Sequence, residues 1–143
     1  MKWSLVALVL CTCPGPAPGP CPTELVLGTE TDGGDFLALT EGADLKINRG
    51  PQGGWHVWVS VQAATIPSSG TLTWVLRSDT QQVLSAPLRL SLPTSPVVPI
   101  TCGWERRSDA LVFMGNGEPF RGTNGELEVS FGTITVKRKV RLF

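Results

Sequence analysis

Apolar and polar residues alternate with a period of two from Thr23 onward, and Gly, Pro, Asn or Asp repeatedly interrupts the alternation. Trp55, Val57, Val59, Val61 and Ala63 alternate with His56, Trp58, Ser60 and Gln62, which predicts a strand with one buried face. Leu72, Trp74 and Leu76 alternate in the same way with Thr71, Thr73 and Arg77. A third run sets Leu84, Ala86, Leu88, Leu90 and Leu92 against Ser85, Pro87, Arg89 and Ser91. Pro87 has no N–H to give to a ladder, so this strand belongs at an edge or is broken by a bulge.

The end of the chain predicts a hairpin in detail. With Gly132 and Thr133 as a two-residue II′ turn, Phe131 faces Ile134 and Val129 meets Val136 on the core face. The outer face then pairs Ser130 with Thr135, Glu128 with Lys137, and Glu126 with Lys139. Apolar pairs on one side and opposite charges on the other are each worth roughly 0.2 to 1 kcal/mol. Arg138 falls on the core parity and is expected to snorkel at the sandwich end. The basic run Lys137, Arg138, Lys139 and Arg141 reads as a solvated strand face partnered by Glu126 and Glu128, in preference to a membrane or nucleic-acid patch.

Seven to nine short strands between residues 23 and 143, with no long helical period, indicate an all-β fold: an immunoglobulin-like antiparallel β-sandwich closed by a C-terminal β-hairpin. Trp74, in Leu-Thr-Trp-Val-Leu, resembles the core Trp of immunoglobulin domains. The cysteines that accompany it there are missing, because no Cys lies between Cys21 and Cys102. Composition agrees, since 16 Gly and 12 Pro disfavour long helices and 41% apolar residues are enough for one core. The balance of 12 Lys plus Arg against 12 Asp plus Glu leaves no electrostatic drive toward nucleic acid.

The first residues predict an address. Lys2 precedes an apolar run from Trp3 to Leu10, too short to span a bilayer and of secretory-signal length. Cys11 and Cys13 follow at once, and Pro14, Gly15, Pro16, Ala17, Pro18, Gly19 and Pro20 read as a semi-extended spacer. The junction resembles a lipobox, with Leu three positions before the acylated Cys and a small residue directly before it. Cys13 has Leu10 and Thr12 in those positions, whereas Cys11 has Leu8 and the bulky Leu10. Acylation of Cys13 also discards Cys11 and leaves Cys21 and Cys102 as an even pair. Cys13 is therefore the expected lipidation site, with Cys11 as the alternative. The expected organisation is a signal over 1–12, a tether over 13–22 and a sandwich over 23–143. Cys21 and Cys102 would form a disulfide pinning the tether to the sandwich, or remain two independent thiols.

Little in the chain points to catalysis. His56 is the only histidine, which excludes most triads and multi-histidine metal sites, and with Cys102 and Met114 it makes an incomplete copper set. It reads as a half-buried structural residue that hydrogen-bonds a neighbour. The run from Gly28 to Asp35 gathers oxygen ligands but lacks EF-hand spacing and reads as an acidic inter-strand loop. Gly115, Asn116, Gly117, Glu118 and Pro119, like Gly122, Thr123, Asn124 and Gly125, are turn residues with no P-loop Lys-Ser/Thr. No catalytic residue, cofactor or metal is expected.

The segment Arg49, Gly50, Pro51, Gln52, Gly53, Gly54, Trp55, His56, Val57, Trp58, Val59, Ser60 is similar to a motif of small uncharacterised secreted or lipid-anchored proteins of Gram-negative bacteria. The similarity spans about Leu25 to Leu142, and no activity comes with it. Gly53 and Gly54 would turn the backbone into the strand beside His56. The expectation is a non-enzymatic binding or structural module, lipid-anchored in the cell envelope, with the outer membrane favoured and an unidentified protein or glycan partner. The alternatives are a soluble periplasmic or extracellular domain and, from another class, a metal-dependent hydrolase using loop carboxylates such as Asp32 and Asp35.

Overall fold

The computed structural model describes residues 24–92 and 94–143, so the expected signal and tether, with Cys11, Cys13 and Cys21, lie outside the described residues. The strands in chain order are β1 (Glu24–Glu30), β2 (Phe36–Ala38), β3 (Ala43–Leu45), β4 (Asn48–Arg49), β5 (Trp55–Ala64) and β6 (Gly70–Ser78). They continue with β7 (Leu88–Leu92), β8 (Val98–Ile100), β9 (Gly103–Val112), β10 (Asn124–Phe131) and β11 (Ile134–Leu142). One sheet has the order β2-β1-β5-β9-β8, with β4 also paired to β5, and the other has the order β3-β11-β10-β6-β7. The order β1-β5-β9-β8 against β11-β10-β6-β7 is that of the A-B-E-D and G-F-C-C′ sheets of an immunoglobulin-like sandwich.

The alternation read from the sequence builds the core. Val57, Val59, Val61 and Ala63 of β5 are buried in one cluster with Leu72, Trp74 and Leu76 of β6 and with Leu127, Val129 and Phe131 of β10. Full burial of each aliphatic side chain contributes roughly 1.5 to 3 kcal/mol. Trp74 takes the strand-C position beside Val129 of β10, and its Nε1 is buried without a hydrogen-bond partner. At another point in the core Trp104 packs edge-on against Phe131 at 5.5 Å, and its Nε1 donates to the Ile66 carbonyl at 2.9 Å.

The C-terminal hairpin has the expected register, with Phe131 opposite Ile134, Val129 opposite Val136 and Ser130 opposite Thr135. Gly132 has φ +59° whereas Thr133 is not in the left-handed region, the combination a II′ turn requires. The charges arrange themselves differently. Lys137 takes both carboxylates, Glu128 at 3.0 Å and the diagonal Glu126 at 3.1 Å, although Glu126 stands opposite Lys139 in the ladder. Arg138 is half-buried on the inner parity, and its Nη1 donates to the Lys137 carbonyl.

Three other expectations are corrected. Among the described residues eleven strands replace seven to nine, because β2, β3, β4 and β8 are only two or three residues long and leave no readable alternation. The sandwich is not wholly antiparallel, since β3 runs parallel to β11. The run from Leu84 to Leu92 is not one strand. Its first part crosses toward the other sheet, where Ser85 bridges Phe113 and the Ala86 N–H donates to the Val112 carbonyl, and only Leu88–Leu92 forms β7. Pro87 sits at that break, and β7 is an edge strand.

The parallel junction carries a surface clamp. Asp44 of β3 accepts two hydrogen bonds from Arg141 of β11, at 2.7 and 2.9 Å. The Arg141 hydrogen bond holds the Asp44 carboxyl below its ordinary range. A depressed folded value means a contribution present above the unfolded carboxylate pKa of about 3.9 and lost as pH falls through the folded value.

Two outcomes follow, both read by urea denaturation. The midpoint difference between wild type and Asp44→Asn is present near neutral pH and disappears in strongly acidic solution; a difference that persists in acid contradicts the clamp. Trp74→Ala costs about 3 to 5 kcal/mol. Trp74→Phe costs much less, because it keeps an aromatic ring in the core while removing the unpartnered N–H; equal losses for the two contradict this reading of Trp74.

Candidate functional site

The outer face of β5 carries the residues that the core does not use. His56, Trp58, Ser60 and Gln62 share the parity opposite Val57, Val59 and Val61. One edge of β5 pairs with β1 from Ser60 to Ala64, and the same edge pairs with β4 at Trp55 and His56. Between these stretches β1 turns away to pair with β2, leaving Val57 to Val59 without a ladder partner on that side. The Thr29 hydroxyl donates to the Trp58 carbonyl at 2.8 Å and so satisfies it in place of a strand.

A cleft of about 460 Å³ opens in that gap. The segment from Thr29 to Gly34 forms one wall, Lys46 and Asn48 form the other, and Trp58 contributes the aromatic surface. Trp58 is half-buried, and His56 packs edge-on against it with ring centroids 4.8 Å apart at 76°. The hydrogen-bonding role expected of His56 is thus replaced, among the described residues, by a ring contact that supports the indole.

A bulge in β9 holds the acidic wall in place. Val59 pairs with Asp109 and Val61 with Arg106, so Arg107 and Ser108 together oppose Ser60, and Ser108 adopts φ +57°. From this bulge the Ser108 hydroxyl donates to the Glu30 carboxylate and the Ser108 N–H donates to Ser60 Oγ. Arg107 pairs with the buried Glu105 and reaches Asp35 at 3.4 Å. Gln62 Nε2 donates to Glu105 at 2.5 Å, so the buried carboxylate has partners on both sides. Within the loop the Thr31 N–H donates to the Asp35 carbonyl, and Thr31 Oγ1 accepts from the Asp35 N–H.

The motif that opens β5 forms the β4–β5 hairpin. Arg49 stands opposite Trp55, the Gly50 N–H donates to the Gly54 carbonyl, and Gly53 adopts φ +84°, so Gly53 rather than Gly54 supplies the turn's special conformation. The guanidinium groups of Arg49 and Arg121 each lie 5.7 Å from the Trp55 ring. Gly117 lies against Trp55, and the loop that holds it leads into a three-residue 3-10 turn, Glu118–Phe120, with no helix to cradle a phosphate.

The copper-like set is not brought together. His56 pairs with Val112 at the far end of β9, whereas Cys102 precedes the start of that strand, roughly 30 Å away at about 3.3 Å per residue. Met114 is exposed and its N–H donates to the Leu84 carbonyl. Among the described residues no group of three or more His, Cys, Asp or Glu is placed to hold a metal ion. Cys102 is disulfide-bonded, and its partner lies outside the described residues. No helix among the described residues is long and apolar enough to cross a membrane.

Sequence reasoning singled out the acidic loop and His56 but did not join them to Trp58, Lys46 and Asn48. The only signal was the parity of Trp58, which puts a large aromatic on the polar face of β5. Arg107→Met leaves Glu105 with Gln62 alone. It costs on the order of 2 kcal/mol, and amide exchange over residues 31–35 speeds up. Unchanged exchange in that loop contradicts the pinning role. Comparison with family models, curated proteins and solved structures finds no match for this chain.

Proposed function

We propose that this chain is an envelope lipoprotein: a Cys13-linked lipid anchor, a Pro/Gly tether and a sandwich that works as a non-enzymatic binding or structural module. The disulfide at Cys102 carries the reading. Stable disulfides belong to oxidising compartments, the destination that the apolar run from Trp3 to Leu10 implies. If Cys13 is acylated and Cys11 leaves with the signal, Cys21 is the one cysteine left to bond Cys102, so anchor and bridge account for every cysteine in the mature chain. Two acyl chains on Cys13 supply the double hydrophobic signal that stable anchoring needs. The absence of Asp directly after Cys13, where Pro14 stands, favours the outer membrane.

The non-enzymatic part rests on the occupation of the reactive groups. Glu30 is engaged by Ser108, Asp35 by Arg107, and His56 by Trp58. The polar cleft is built for recognition by a shaped, ordered surface, and Lys137 and Arg141 of β11 are neutralised locally by Glu126, Glu128 and Asp44. Nothing in this arrangement favours nucleic acid.

Intact-mass spectrometry of protein from a lipoprotein-processing host is expected to show an acylated N-terminal Cys13, abolished by Cys13→Ser and kept in Cys11→Ser. Non-reducing peptide mapping is expected to link Cys21 to Cys102. An unmodified protein that partitions into the aqueous phase of a detergent split supports the soluble alternative, and a Cys13–Cys102 link contradicts the anchor.

A further inference from the structure

We infer that the Trp58 cleft is a binding site for a neutral saccharide, an assignment that rests on the binding-module reading and names its ligand class. Five observations converge. The cleft is the gap where the edge of β5 changes partner from β1 to β4, so backbone topology keeps it open. Its volume of about 460 Å³ lies at the small-ligand end of binding sites. Trp58 is the one aromatic residue in its lining, and its ring meets that of His56 edge to face. Its walls mix acceptor-only carboxylates of Glu30 and Asp32, the donor-only ammonium of Lys46, the Thr29 hydroxyl, left as an acceptor because its proton goes to Trp58, and the Asn48 amide, which keeps an acceptor oxygen and one N–H beside that given to Lys46. The acidic wall is already ordered by Arg107 and Ser108, so binding does not have to immobilise it.

A sugar ring matches that chemistry group by group. Its C–H face is weakly positive and stacks on the negative face of an indole, while its hydroxyls donate to carboxylates and accept from ammonium and amide. The lining sets two carboxylates, Glu30 and Asp32, against one ammonium, Lys46, a net charge of −1 that disfavours an anionic ligand, and Ser108 already holds Glu30. A peptide side chain would need more apolar wall than one ring provides. The other large cleft, about 410 Å³ beside Glu41, Asp79 and Lys139, has no aromatic surface to stack on a ring.

The test uses the full-length protein extracted in a detergent without a sugar headgroup. Saturation-transfer NMR and titration are run with four probes: chitotriose, cellotriose, maltotriose and mannotriose. At least one is expected to receive saturation from the protein. Trp58→Ala is expected to weaken its affinity about tenfold, with Trp58→Phe recovering most of the loss. Lys46→Ala and Asp32→Ala alter exposed side chains and keep the test valid if Trp58→Ala fails to fold; each is expected to weaken binding severalfold at unchanged Tm. No saturation transfer to any of the four probes overturns the assignment and leaves the binding-module reading standing, as does binding that all three alanine variants leave intact. Bound probe that develops new reducing-end anomeric signals supports the cleft and overturns the non-enzymatic reading.

Discussion

The structure depends on the burial of one face of β5. Val57, Val59, Val61 and Ala63 are fully buried, and β5 has neighbours along both edges, β1 and β4 on one and β9 on the other. Because strand side chains alternate with a period of two, a shift of one residue would put His56, Trp58 and Gln62 into the core and the valines into water. The hydrophobic term for four such residues far exceeds any polar contact on the outer face. The core therefore sets where the outer residues stand, and the outer residues have no comparable influence on the core.

The site follows from that asymmetry. Once Trp58 is fixed on the outer face, the departure of β1 toward β2 opens a gap beside it, and the bulge in β9 aims Arg107 and Ser108 at the loop that borders the gap. The bulge also turns Arg106 to the inner parity, where buried Asp109 accepts its guanidinium at 2.6 Å and the Pro96 carbonyl accepts a further bond. Two irregularities, an interrupted edge and one inserted residue, thus convert a regular sheet into a surface with a shaped polar cleft. Irregular strands of this kind are where sheets carry binding surfaces.

How much of this was legible depended on how many residues each feature spans. The long strands β5, β6 and β10 and the hairpin with β11 were readable because their alternation runs for eight or more residues and one register satisfied both faces. Pro87 announced the edge correctly, but the crossing at Ser85 was hidden because Leu84 and Leu88 keep the same parity on either side of it. The short strands β2, β3 and β4 carry too few residues for a period. The parallel pairing of β3 with β11 is a long-range fact that Asp44 and Arg141, 97 positions apart, do not signal in sequence. Lys137 serves Glu126 as well as Glu128 because a long flexible amine reaches its diagonal neighbour as easily as its direct one. The cleft was invisible for the same reason as β3: its walls come from residues 29–34, 46–48 and 58 and meet only after folding.

Native-state amide hydrogen exchange along β5 tests the central claim, that the buried face of this doubly paired strand organises the molecule. The account predicts that amides from Val57 to Ala63 which donate within the sheet exchange only through global unfolding, at the same opening free energy as the central strands β6 and β10, while β2 and β8 open locally and sooner. Exchange of β5 at the local opening rates of β2 and β8 would contradict it.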